Sequence, residues 1–137
     1  MRLRLPRLSW LAFAVALAAG GAFAQSYPTK PIRLLVPFTP GGSQDVIGRL
    51  FAQKVGDALG QTIVVENKPG AGGLIATQET ARAAPDGYTI FLSTGAQMAI
   101  EPALNPKAGY DPNKDFVHII RLGDAPLVLL ATPGWRS

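Results

Sequence analysis

Short apolar runs and stretches with apolar residues at three- and four-residue spacing alternate through the middle of this chain. Ile32-Arg33-Leu34-Leu35-Val36, closed by Pro37, predicts a short strand covered on both faces. From Val46 the spacing turns helical. Val46, Ile47, Leu50, Phe51, Val55, Ala58 and Leu59 form one apolar stripe. Ser43 is placed as the N-cap of that helix, Asp45 suits its positive first turn, and Gly60 suits the position just past its end. β-branched residues over 62–66 predict a second strand, and 74–84 a second helix stopped by Pro85-Asp86-Gly87. A third strand is expected over 88–93, ended by Thr94-Gly95. Downstream, the pattern predicts a short helix over 97–104, a loop over 105–113, and strands over 117–122 and 127–131.

This β-α-β-α-β alternation predicts an α/β fold with a parallel, Rossmann-like sheet and right-handed crossovers. With strand order 2-1-3, one helix covers each face, and a ligand binds beyond the carboxyl ends of the strands. Two glycine-rich turns fall on that edge, Pro40-Gly41-Gly42-Ser43 and Pro69-Gly70-Ala71-Gly72-Gly73, and Thr94-Gly95 falls there too. Helix amino-termini expose N–H groups without helical partners and carry a partial positive charge. Two of them side by side suit a small carboxylate or similar anion. A lone glycine turn is more often a tight reversal than a ligand contact.

Arg2, Arg4 and Arg7, an apolar stretch from Leu8 to Ala19, and Ala22-Phe23-Ala24 compose an export signal, so the mature chain is expected to begin at Gln25. Of thirteen basic residues, losing those three arginines leaves ten against nine acidic ones, so no basic stripe remains for nucleic acid. Without Cys an exported chain relies on an ordinary core rather than disulfides. Nucleotide binding fails on spacing: Gly70-x-Gly72 lacks the third glycine, and it follows the second strand rather than the first. Ser43 sits in no G-x-S-x-G elbow, and one His without Cys makes a poor metal set, so no cofactor, metal or catalytic residue is assigned. His118, in an apolar run, is expected to be a satisfied structural residue. Asp45 is expected mainly as a first-turn residue, with ordering of the glycine loop above it as the alternative. Tyr88 and Tyr110 are left open between core and rim.

Five separated motifs then carry a resemblance. They are Tyr27-Pro28-x-Lys30-Pro31-Ile32-Arg33; Val36-Pro37-Phe38-x-Pro40-Gly41-Gly42-x-x-Asp45; Leu59-Gly60-Gln61-x-Ile63-Val64-Val65-Glu66-Asn67-Lys68-Pro69-Gly70-Ala71-Gly72-Gly73; Pro85-Asp86-Gly87-Tyr88-Thr89; and Tyr110-Asp111-Pro112-x-Lys114-Asp115-Phe116. In this order they resemble the solute-binding receptors of tripartite tricarboxylate transporters, the Bug family. The resemblance implies a two-lobed, Venus-flytrap periplasmic binding protein that holds a small carboxylate between its lobes and delivers it to a two-subunit membrane permease. It further implies that Phe38, Thr39, Pro40, Gly41, Gly42 and Ser43, with Gly70, Ala71, Gly72 and Gly73, hold the carboxylate through main-chain groups and water. By the same resemblance Thr94, Gly95 and Ala96 line the pocket. Within this family pattern, two glycine turns on one sheet edge favour the ligand over a mere reversal.

The chain departs from that family in length. Residues 1–24 are expected as signal peptide, 25–121 as an incomplete first lobe and 122–137 as the start of a second. The family carries Pro in many members where this chain has Thr39, and Gly134-Trp135-Arg136-Ser137 does not resemble the family's continuation. A frameshift, premature stop or gene fragment is the expected explanation, ahead of a genuine single-lobed receptor. Two further alternatives stand: a non-functional fragment that does not fold stably, and an exported α/β enzyme acting on a carboxylic acid.

Overall fold

A computed structural model describes residues 27–124, 128 and 130. The signal segment and most of the segment from 122 onward, including three of the five positions of the strand expected over 127–131, lie outside them. The elements run β1 (Ile32–Val36), α1 (Ser43–Leu59), β2 (Ile63–Asn67), a 3-10 turn (Ala71–Gly73), α2 (Leu74–Ala81), β3 (Thr89–Phe91), a π-helical turn (Ala96–Ile100) and α3 (Glu101–Leu104). The sheet is parallel with order β2-β1-β3. Ile32 lies opposite Ile63 and Val36 opposite Asn67 on one side of β1, and Leu34 opposite Ile90 on the other. The α/β class and the 2-1-3 order follow the expectation from sequence.

Alternation along β1 builds the two faces. Ile32, Leu34 and Val36 point to the α1 side, where they form the core with Ala52 and Ile63, flanked by Phe51, Val55, Ile90 and Leu92. Burying an aliphatic side chain of this size contributes about 1.5–3 kcal/mol, so β1 supplies much of the stability. Leu35 is buried on the opposite, α2 side. There the Arg33 guanidinium holds Glu66 of β2 through two bonds of 2.8 Å and Glu79 of α2 at 3.0 Å, and Lys68 reaches Glu79 at 3.2 Å. These carboxylates keep Arg33 firmly protonated, its pKa pushed further up chiefly by Glu66.

The contact face of α1 matches the expected stripe at Phe51 and Val55 and differs from it elsewhere. The residues buried against the sheet are Asp45, Gly48, Ala52 and Gly56, whereas Val46, Ile47 and Leu50 are about half exposed or more. Small side chains let the helix backbone come close: a Cβ on Gly48 would stand 3.2 Å from Val36, and one on Gly56 only 2.9 Å from the Gln61 carbonyl. Gly60 ends α1 in the left-handed conformation as expected, its N–H donating to the Gly56 carbonyl. Ser43 is not the N-cap. Gly42 takes that position with extended backbone, and the Ser43 hydroxyl donates to Gln44 Oε1 instead.

Helix α2 stops at Ala81 rather than 84, because Ala83 N–H turns to the Thr80 carbonyl and Pro85 disfavours helix at the residue before it. Residues 117–122, expected as a fourth strand, are irregular, and Val117, Ile119 and Ile120 are largely exposed. A strand needs a ladder partner for its backbone groups, and among the described residues only β1 pairs with β3. His118 is exposed there, not the enclosed structural residue expected from its apolar neighbours. The two tyrosines are half-buried anchors: Tyr88 Oη accepts from Thr29 N–H, and Tyr110 Oη donates to the Gln97 carbonyl while packing edge-on against Phe116. Burial raises the Tyr110 pKa.

Candidate functional site

All three loops that the sequence singles out leave the carboxyl ends of the parallel strands. The first runs from β1 into α1. Phe38 faces the core with its side chain, while Thr39, Pro40, Gly41 and Ser43 are exposed. Gly41 has φ +86°, the conformation that makes glycine the fitting residue at this turn. The first bond of α1 is Val46 N–H to the Gly42 carbonyl, so the N–H groups of Ser43, Gln44 and Asp45 have no partner within the helix.

Asp45 holds this loop from beneath. Its carboxylate, 3% exposed, accepts from Gly41 N–H at 2.9 Å, Arg49 Nε at 2.9 Å and Asn67 Nδ2 at 2.9 Å. Reaching back from the third helical position to the chain before the helix, it resembles the return half of a capping box. The Arg49 guanidinium lowers its pKa most, followed by Gly41 N–H and Asn67, to about 2. Asn67, at the end of β2, also donates to the Phe38 carbonyl at 3.0 Å. Loop ordering, the alternative left open for Asp45, is thus what its geometry provides. The Arg49 charge balances the carboxylate, so the rim above carries no uncompensated negative group from Asp45.

The second loop has four consecutive residues with positive φ: Gly70 at 134°, Ala71 at 47°, Gly72 at 64° and Gly73 at 96°. Gly70, Ala71 and Gly72 are exposed, and the N–H groups of Ala71 and Gly72 precede the first bond of the turn, Gly73 N–H to the Gly70 carbonyl. Gly73 is different. It is buried, and a Cβ there would stand 2.5 Å from Gln97 Nε2 and 3.0 Å from Pro37 Cβ. It sits behind the rim, where the three loops meet.

In the third loop Gly95 and Ala96 are exposed, but Thr94 is turned inward: its N–H and its hydroxyl both donate to Gln97 Oε1, at 2.9 and 2.7 Å. Gln97 Nε2 donates in turn to the Gly72 carbonyl at 2.7 Å. Lys68 N–H on the Val36 carbonyl at 2.8 Å and Asn67 on Phe38 tie the first two loops together. The structure therefore brings all the singled-out segments to one edge. A shallow groove between α1 and the edge of β2 that has no strand partner among the described residues, lined by Arg49, Gln53, Asp57 and Gln61, lies apart from the glycine loops. The supporting residues Asn67 and Gln97 were not singled out from sequence; Thr94 is three residues from Gln97, but Gly72, Phe38 and Asp45 lie 22 to 29 residues from their partners and leave no local signature.

Residues 47–135 match the profile of the tripartite tricarboxylate transporter family receptor, TctC. BugT of Bordetella pertussis is 46% identical over 121 residues, covering 88% of this chain and 37% of BugT. The solved periplasmic binding protein BugD is 44% identical, with a TM-score of 0.62 over 66% of this chain and 30% of its own. MatC from Rhodopseudomonas palustris, solved with bound malate, is 40% identical, with a TM-score of 0.63 over 66% of this chain and 31% of its own. The chain thus spans little more than a third of the curated relative and under a third of the solved ones. Its parallel α/β arrangement is that of these periplasmic binding proteins, and with the profile match over 47–135 it belongs to the tripartite tricarboxylate transporter receptor family.

Proposed function

We propose that this chain supplies one wall of a periplasmic carboxylate receptor: residues 1–24 direct export, 25–121 form the first lobe and 122–137 open a second. The observation that carries the proposal is the meeting, on one rim, of two glycine loops whose leading N–H groups lack helical partners. Gly42, Ser43, Ala71 and Gly72 would donate directly or through water. Phe38, Thr39 and Pro40 would shape one side, Gly95 and Ala96 the other, with Gly41, Gly70, Gly73 and Thr94 holding the backbone in place. A relative with bound malate supports a small dicarboxylate as the ligand class. The membrane permease subunits of a tripartite transporter are the proposed recipients. No side chain on the rim is asked to do chemistry; the role is capture.

A hydrogen bond to a charged group contributes about 1.5–3 kcal/mol, and a micromolar complex needs about 8 kcal/mol. Three or four such bonds from one rim approach that figure before the cost of immobilising the ligand. A facing wall that added two or three more, about 3–9 kcal/mol, would decide between weak and tight binding. This chain alone is therefore expected to bind malate only weakly. Amide shift mapping tests the site: malate should move the resonances of Gly42, Ser43, Ala71 and Gly72 together. Movement elsewhere, or none at millimolar malate, would refute the assignment, and micromolar affinity would refute the need for a second wall.

A further inference from the structure

We propose that Gln97 is a positioning residue of this rim, its buried side-chain amide bracketing the second glycine loop to the third. The inference deepens the carboxylate reading and rests on it for its functional meaning. Gln97 is 1% exposed and uses both ends of its amide: Nε2 donates to the Gly72 carbonyl, and Oε1 accepts from the N–H and the hydroxyl of Thr94. The orientation of the amide is dictated by its partners. A main-chain carbonyl only accepts and a main-chain N–H only donates, so the reversed amide would set two acceptors and two donors face to face. Its own carbonyl accepts from Tyr110, which fixes the segment that carries it.

The bracket determines which backbone groups point outward. It draws the Gly72 carbonyl inward, removing an acceptor oxygen from the path of an anion and leaving the Ala71 and Gly72 N–H groups at the front. It also holds Thr94 inward, so that Gly95 and Ala96 form the exposed lip. Asp45 and Asn67 perform the equivalent task for the first loop on a separate set of bonds. The second and third loops should therefore lose order together, and independently of the first, when Gln97 is altered.

Two substitutions in the 137-residue chain test this by amide exchange, expressed as protection factors. Gln97→Met keeps the length and removes the polar ends. It should lower protection at least tenfold at Gly73, Leu74 and Thr94 together, while Gly41 and the β1 amides of Ile32 and Arg33 keep theirs. Gln97→Glu makes the bracket switchable, because a protonated carboxyl has one donor and one acceptor whereas a carboxylate has only acceptors. Protection at Gly73 and Leu74 should be low at pH 7 and recover as the pH falls below the titration of the new carboxyl, while Thr94, whose N–H a carboxylate still accepts, stays protected throughout; Gln97→Met should show no such recovery. A loss confined to one loop in Gln97→Met, a loss spread equally over the sheet, or no recovery at Gly73 and Leu74 in Gln97→Glu would overturn the proposal. Malate titration of the same proteins separates it from the broader reading. If the parent binds and Gln97→Met binds equally well, the positioning role fails. If the parent shows no response to malate, the carboxylate reading fails while the exchange data still decide the bracket.

Discussion

Replacing Gly73 by Ala measures how tightly the three loops are keyed together. Two costs are separable. Gly73 has φ +96°, and an L-residue held in that region costs roughly 1–2 kcal/mol. The added methyl would also lie 2.5 Å from Gln97 Nε2 and 3.0 Å from Pro37 Cβ. Overpacking of a well-filled site costs roughly 1–3 kcal/mol, and Gln97 cannot swing aside without leaving Gly72 and Thr94. The sum is about 2–5 kcal/mol. Gly41 and Gly60 are the controls: φ is +86° and +65°, and a Cβ on either meets nothing within 4 Å. Each Ala substitution there should cost only the backbone part, roughly 1–2 kcal/mol. Urea unfolding of the three variants, followed by circular dichroism, reads the difference directly, since an unchanged slope leaves the midpoint as the measure of stability. A double substitution, Gly73→Ala with Gln97→Ala, should be less damaging than the two single losses added, because the second change removes the obstacle to the first. If Gly73→Ala unfolds at the same urea concentration as Gly60→Ala, the close approach of the loops is wrong.

Two other outcomes are expected. Asp45 titrates at about 2 in the folded chain against an ordinary value of 3.8. Its folded pKa is lowered, so its contribution is complete above about pH 4 and is lost as the pH falls from there toward 2. Asp45→Asn should flatten that part of the acid-unfolding curve and expose the Gly41 amide to exchange; an unchanged acid profile would show that the carboxylate does not hold the loop. On α1, Leu50→Ala should change stability by no more than about 0.5 kcal/mol, as for an exposed site, whereas Ala52→Leu should cost about 1–3 kcal/mol through overpacking. Thermal melts of the pair check this, and the reverse ranking would restore the larger apolar residues to the sheet-facing side.

The parts legible in sequence were those written in local chemistry. The β1 run closed by proline, the glycine clusters and the alternation of elements gave the sheet order and the loop edge. The facing side of α1 was misjudged in part: Phe51 and Val55 of the expected stripe do pack on the core, but apolar weight also pointed to Val46, Ile47 and Leu50, while contact depends on how closely two backbones approach. The row Gly48, Ala52, Gly56 held that signal, a run of small residues at four-residue spacing. Ser43 had the right chemistry for a cap but stands one residue inside, since Asp45 restrains the entry from below. Over 117–122 the β-branched residues fit a strand, yet composition cannot supply a neighbour for its backbone. Gln97 was invisible for a related reason: its meaning lies wholly in Gly72 and Thr94, and nothing about a glutamine near the start of a helix announces either.

The charged cluster of Arg33, Glu66, Glu79 and Lys68 makes the two sides of the sheet chemically unlike. One helix is glued on by oily contact, which excluded salts such as sulfate strengthen. The other packs the buried Ala76 and Thr77 on the sheet and adds, through Glu79, ion pairs that are one-third to two-fifths exposed, which mobile ions weaken. Brine therefore weakens the Glu79 contacts of α2, whereas sulfate tightens the apolar packing beneath α1, so the two salts act on different sides of this small sheet.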